Sequence, residues 1–280
     1  FSNHHFNMTF FKGKVVIVTG SSNGIGRATA VALAGKGAKL TLHGRNPKSI
    51  EITRKQCLEA GAKADDIIEV LGEIEKEEIR VQIVQETVKK FGQIDVLINN
   101  AGGAVDSVVN AQYKPIDVPL DHFDQTIATN TKSVFHLSQL CAPYLEKTKG
   151  AIVNVSSIAG FPFCVSEFSY AISKAALDQL TVQLAGELAP RGVRVNSVNP
   201  GPIATAFIRQ NGETEEQSKE AFKKLGTLPK CIPIGRCGEP EDVAKLIVFL
   251  SDRSQSEFII GQRIVIDGGA LLNNVLFRTQ

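Results

Sequence analysis

A chain of 280 residues, 43% of them hydrophobic, can fill one α/β domain with a large core or two small ones. Its net charge of +2 is spread over interspersed positive and negative residues, which excludes the basic face of a nucleic-acid binder or of a protein docked on an anionic membrane. No apolar run approaches the roughly 20 residues of a transmembrane helix, and the cysteines, Cys57, Cys141, Cys164, Cys231 and Cys237, show neither metal-ligand spacing nor the even number of a full disulfide framework.

The stretch up to Lys14 lacks the apolar centre of a signal peptide, and Met8 is the only methionine. Met8 is therefore expected to be the native start, with residues 1 to 7, including His4 and His5, left over from expression. The carboxyl end carries no retention or peroxisomal signal, so the expected compartment is the cytoplasm.

Lys14 to Thr19 is a short β-branched run that gives way to glycines and then to apolar residues at helical spacing, a strand, tight turn and helix. Gly20, Gly24 and Gly26 let the backbone bend and approach a ligand, the helix start offers N–H groups to a phosphate, and Ser22 and Asn23 are expected to cap it. The next strand, Lys39 to His43, ends in Gly44 and Arg45, about where a dinucleotide fold places either an acid for ribose hydroxyls or an arginine for a 2′-phosphate. A guanidinium there, with no carboxylate to repel phosphate, favours NADP(H) over NAD(H).

Pro47 to Ala60 reads as a helix, Ile67 to Leu71 as a strand and Glu75 to Phe91 as an amphipathic helix, before the buried strand IDVLINNAGG with Asn99, Asn100, Ala101 and Gly102 at its end. After an irregular stretch, Leu120 to Glu146 is expected to be one helix, with Asn130 inside it and, on residue preference alone, exposed. Ala151 to Val155 is a strand, with Ser157 just past it. Tyr170 and Lys174 lie four apart on a helix running to about Ala189 and share one of its faces. An ammonium beside a phenol favours the ionised phenol, and a serine hydroxyl could bind the oxygen with which that phenol exchanges a proton. Val193 to Val198 is a strand, followed by NPGPIATAF, whose prolines point to a rigid turn outside any sheet. Residues 206 to 232 suit a helical lid. A helix from Glu239 to Leu250 and a strand in GQRIVIDGG complete an alternating pattern with no repeat or linker, which reads as one domain over residues 1–280 built on a parallel sheet. Ser157, Ile158, Phe161, Phe163 and Tyr170 would surround an apolar substrate.

Over Lys12 to Ala270 the chain resembles the short-chain dehydrogenase/reductases of the 250-residue type. Thr19 to Gly26 match the family's cofactor turn, Asn99 to Gly102 its strand-end motif, Ser157, Tyr170 and Lys174 its active site, and Pro200-Gly201 and Asp267-Gly268-Gly269 its later signatures. The turn at Gly44 to Asn46 is similar to that of tropinone reductase-like members. The resemblance implies a doubly wound Rossmann fold, with a seven-stranded parallel sheet and helices on both faces. It also implies that Tyr170 acts as the acid or base, Ser157 orients a carbonyl, Lys174 holds the nicotinamide ribose, and Asn130 binds a relay water.

By the same resemblance the cofactor would be held by Gly20, Ser22, Asn23, Gly24, Ile25, Gly26, Arg45, Asn100, Ala101, Gly102, Tyr170, Lys174, Pro200, Gly201, Ile203 and Thr205. Glu73 stands where the family usually has an aspartate at the adenine. Asn23 stands where some NADPH-dependent members have a basic residue, leaving the phosphate to Arg45 with help from Ser22. The expected activity is NADPH-dependent reduction of a ketone or aldehyde to an alcohol, on a small apolar substrate, in a homotetramer or homodimer and without a metal. An NAD-linked alcohol or hydroxysteroid dehydrogenase is the alternative, and a non-catalytic cofactor-binding scaffold the remote one.

Overall fold

The computed structural model describes residues 10–103, 115–161, 168–205 and 232–273. Their strands, β1 (Val15–Val18), β2 (Lys39–Gly44), β3 (Ile67–Leu71), β4 (Val96–Asn99), β5 (Ala151–Val155), β6 (Arg194–Pro200) and β7 (Arg263–Ile266), form one sheet in the order β3-β2-β1-β4-β5-β6-β7. Every pairing is parallel. The central strands read as unbroken apolar runs because both of their faces are covered. Val16, Val18, Val96, Ile98 and Val153 join the core under helices α1 (Gly24–Ala34) and α7 (Pro240–Ser251). Ile17, Leu97, Ile152 and Val195 face the opposite core, with α3 (Glu77–Phe91), α5 (Ser133–Thr148) and α6 (Phe168–Leu188). Helix α2 (Pro47–Glu59) lies beside α1.

The strand order reverses between β1 and β4, so the chain leaves these neighbours in opposite directions and a crevice opens past their carboxyl ends. Thr19 and Asn100 meet there. At the other end of the sheet Asp95 fixes the register of the same pair. Its carboxylate accepts from Val15 N–H (2.9 Å), Lys14 Nζ (2.9 Å) and Gln93 Nε2 (2.6 Å).

Four expectations from sequence are corrected. Leu120 to Glu146 is not one regular helix: α4 (Leu120–Ile127) passes through a π turn (Ala128–Lys132) into α5, with Ser133 N–H donating to Ala128 O. Asn130 sits in that turn and is fully buried rather than exposed. Pro200 ends a sheet strand rather than lying outside the sheet, paired with Ile266 of the edge strand β7. The position tolerates proline because the ladder continues through Gly201 N–H to Ile266 O (3.0 Å), so no N–H is needed from residue 200. Asn23 does occupy the cap of α1, but its side chain makes no capping bond.

Asp95→Ala removes the acceptor of a buried backbone N–H, and is expected to lower unfolding free energy in urea by about 2 to 3 kcal/mol. A loss well under 1 kcal/mol would show that the register is held elsewhere.

Candidate active site

The glycine turn is fastened from β4. Thr19 Oγ1 accepts from the N–H groups of Asn100 and Ala101 (both 3.0 Å) and donates to Ile98 O (3.2 Å). Asn100 Nδ2 donates in return to Thr19 O (2.9 Å) and Gly20 O (3.0 Å). Gly20 is left-handed (φ 65°), and a Cβ there would stand 2.8 Å from Ala101 Cα. A Cβ on Gly26 would fall on the Gly20 carbonyl. Only bare backbone fits, which brings the start of α1 against the turn and leaves its first N–H groups without a side-chain cap. Arg27 braces the outside, donating to Ser22 O, Thr53 Oγ1 (3.0 Å) and Ser49 O (3.4 Å).

At the end of β2, His43 is buried with its ring between two backbone groups. Gly20 N–H donates to Nδ1 (3.4 Å), which leaves the ring proton on Nε2, beside Gly72 O (3.2 Å). Burial pushes this histidine down from 6.5 to about 4, and the neighbouring Arg45 charge acts in the same direction. The Ser22 hydroxyl packs on Gly44, where a Cβ would overlap it. Arg45 is exposed and has no hydrogen bond or ion pair among the described residues. Glu73 is also exposed and pairs with Lys76 (2.9 Å), whose hydrogen bond and charge hold the carboxyl low.

The second half of the site lies over β4 and β5. Ser157 caps a short 3-10 turn (Ile158–Gly160), its Oγ accepting from Ala159 N–H (3.1 Å). Tyr170 and Lys174 share one face of α6 and are 9% and 4% exposed, so this is not a surface pair. Lys174 Nζ donates to Val155 O (2.8 Å) and lies 5.5 Å from the Tyr170 ring centre. Burial pushes this ammonium down to about 8, and the carboxylate of Asp178 works against that shift. A Cβ on Gly102 would stand 2.9 Å from Asn130 Oδ1 and 3.4 Å from Lys174 Nζ, so the small residues after β4 keep open the space beside the ammonium. The Asn130 amide is committed: Oδ1 accepts from Gly103 N–H (2.9 Å), and Nδ2 donates to Gly103 O (2.8 Å) and Ser173 Oγ (2.9 Å).

From Pro200 at the end of β6 the chain leads through Gly201 to Ile203, which is buried and bridges Gly238. Thr205 lies close enough to Gly24 that a Cβ there would be 3.0 Å from its methyl. Ile25 packs on the α1-side core. Ile158 is half-buried, and Phe161 is 43% exposed with the Arg263 guanidinium 5.8 Å over its ring. Phe163 and the expected lid, apart from Ile232, lie outside the described residues. The structure thus gathers Gly20, Ser22, Asn23, Gly24, Gly26, Asn100, Ala101, Gly102 and Thr205 on one side of the cleft and Asn130, Ser157, Tyr170 and Lys174 on the other. Sequence reasoning passed over Arg27, His43, Asp178 and Asn199. A histidine ending a buried strand, and an acid four residues beyond Lys174 on the same helix face, were the available signals.

A family model described as Enoyl-(Acyl carrier protein) reductase matches residues 20–270. The chain is 36% identical to the 3-oxoacyl-[acyl-carrier-protein] reductase FabG of Thermotoga maritima over 93% of this chain and 99% of that one, and 35% identical to a tropinone reductase homolog of Arabidopsis thaliana over 93% of each. The chain belongs to the short-chain dehydrogenase/reductase family. Among solved structures, it superposes on a short-chain dehydrogenase/reductase of unknown function from Caenorhabditis elegans, solved with cofactor, with a TM-score of 0.90 and 41% identity over 94% of this chain and 97% of that one. Glucose dehydrogenase of the same organism, in its apo form, gives a TM-score of 0.79 and 40% identity over 94% and 99%. Among the described residues, no helix of this short-chain dehydrogenase/reductase is long and apolar enough to cross a membrane, and no three His, Cys, Asp or Glu side chains group as metal ligands.

Because the folded state holds His43 neutral, the unfolded chain binds the proton more readily between pH 6.5 and about 4, and stability falls as pH drops through that window. The contribution is on the order of 3 kcal/mol. His43→Gln is expected to flatten that part of the pH–stability curve, and an unchanged slope would assign the loss to other groups.

Proposed function

We propose that this protein is an NADP(H)-dependent oxidoreductase that reduces a ketone or aldehyde to an alcohol, working as one domain over residues 1–280. The observation that carries the reading is the burial of Tyr170 and Lys174 on one face of α6, with the ammonium beside the gap at Gly102 and across the cleft from a bare-backbone turn. A nicotinamide dinucleotide fits this cradle. The turn from Gly20 to Gly26 and the start of α1 would take the pyrophosphate. Pro200, Gly201, Ile203 and Thr205 would close over the nicotinamide, and Asn100, Ala101 and Gly102 would line the floor. Arg45 would receive the 2′-phosphate with help from the Ser22 hydroxyl, while Glu73 lies near the adenine end but is occupied by Lys76. When bound, the cofactor supplies a hydride to the carbonyl carbon.

The protein's own task is the proton. Tyr170 donates it to the substrate oxygen. Ser157 hydrogen-bonds the same oxygen, since its Oγ already accepts from Ala159 and keeps its hydrogen to give. Lys174 holds its charge beside the phenol and reaches the nicotinamide ribose. Asn130, whose amide ties the π turn to Gly103 and Ser173, would serve the relay by binding a water. Ile158 and Phe161, with Phe163 and the lid, would make the pocket suited to a small apolar carbonyl compound. Phe135, Ile172 and Val182 are exposed on α5 and α6, which supports pairing of these helices in a homodimer or homotetramer. The cytoplasm remains the proposed compartment.

Oxidation of NADPH and NADH against a panel of carbonyl compounds tests the reading directly, and an absence of turnover throughout would overturn it. Tyr170→Phe is expected to abolish turnover while NADPH binding, followed by fluorescence, stays within about twofold. Arg45→Ala should weaken NADPH by about 1.5 to 3 kcal/mol and NADH far less. Equal losses would show that Arg45 does not read the phosphate.

A further inference from the structure

Asp178 lies one turn beyond Lys174 on α6, so Tyr170, Lys174 and Asp178 line one buried face of that helix. The carboxylate is held chiefly by one amide. Asn199 Nδ2 donates to both oxygens (2.9 Å each) and Ser197 Oγ reaches one of them (3.5 Å). The Ser156 hydroxyl hydrogen-bonds it too, and also reaches Lys174 O (3.2 Å). Burial pushes the carboxyl up on balance, and the Asn199 and Ser156 hydrogen bonds and the charges of Arg263 and Lys174 work against that shift in favour of the ionised form. The charged groups that reach it are Lys174 on its own helix and Arg263 of β7, while β6 and the end of β5 contribute the neutral Ser197, Asn199 and Ser156. Asn199 does not stop at Asp178, since its Nδ2 also donates to Ser157 O (3.3 Å). One carboxylate therefore touches, directly or through one amide, the segments that carry Lys174, Ser157 and Pro200.

We propose that Asp178 is a positioning residue that keeps Lys174 protonated and, through Asn199, holds Ser157 in register with it. The inference rests on the reading of Ser157, Tyr170 and Lys174 as the reacting set. A buried carboxylate with no electrostatic task would be replaceable by a packed neutral group at little cost. Here it offsets the desolvation of an ammonium that is 4% exposed and whose hydrogen-bond partner among the described residues is a single carbonyl, Val155 O.

The sign follows directly: removing the negative charge must make Lys174 lose its proton at lower pH. The titration of Lys174 can be followed by NMR of protein labelled with 15N-lysine, its signal assigned by its loss in Lys174→Arg. In Asp178→Asn, which preserves shape and an acceptor for Asn199, the titration is expected to move down by about one pH unit, a tenfold change in dissociation constant. The alkaline limb of kcat should move with it, and Asp178→Glu should restore both. An unmoved titration in folded Asp178→Asn overturns the inference whatever the turnover. A moved titration in a protein whose wild type turns over no carbonyl compound supports the Lys174–Asp178 coupling and overturns the oxidoreductase reading instead. Should Asp178→Asn not fold, Asn199→Ala leaves the carboxyl group in place and cuts the tie to Ser157. It is expected to lower kcat by about fivefold or more with the Lys174 titration in place, and a wild-type kcat would overturn the positioning role.

Discussion

The site depends on one reach across the sheet. Asn100, from the end of β4, holds the carbonyl oxygens of Thr19 and Gly20, while Thr19 holds the backbone N–H groups of Asn100 and Ala101. In a parallel sheet whose order reverses between these strands, the ladder ends where the two chains part, and nothing in the ladder itself would keep them together. The reciprocal bonds extend pairing past that point by side chains. The glycine turn is thereby fixed to the same strand end that leaves room beside Lys174, so both halves of the cleft share one reference frame.

A second constraint is electrostatic. The cleft places a fully buried amide at Asn130, a neutral histidine at position 43 and an ammonium at Lys174 within a structure that excludes most water from all three. The first two are satisfied by neutral groups on opposite sides of the cleft, His43 by backbone and Asn130 by the Gly103 backbone and the Ser173 hydroxyl. Lys174 is the exception, since a backbone carbonyl meets its geometry but not its charge. That difference is why a carboxylate one turn away matters more than another hydrogen bond would.

Much of this was legible in the chain. Buried β-branched runs, glycines at strand-to-helix junctions and helical spacing gave the strands in order, and Ile67 to Leu71 and Ala151 to Val155 fall where periodicity placed them. Tyr170 and Lys174 shared a face by arithmetic alone. What the sequence could not carry were contacts made at long separation. His43 looks like an ordinary strand residue until Gly20 and Gly72 close on it, and Asn130 looks exposed until Gly103 and Ser173 claim its amide. Pro200 was read as a breaker because propensity knows nothing of where a neighbouring strand stops: β5 pairs only as far as Val198, so the missing N–H two residues further along β6 goes unneeded.

The π turn at Ala128–Lys132 is a matter of counting. One residue more than the α register allows is folded into a continuous helix, so everything after it is rotated by about 100° relative to everything before. The apolar stripe of α5 is therefore out of phase with that of α4, and no single helical wheel describes both. Removing that one residue would leave a single regular helix with its two stripes in phase. The chain tolerates a weak spot in its longest rod because the fault, rather than the rod, points a polar side chain at the place where charge has to be managed.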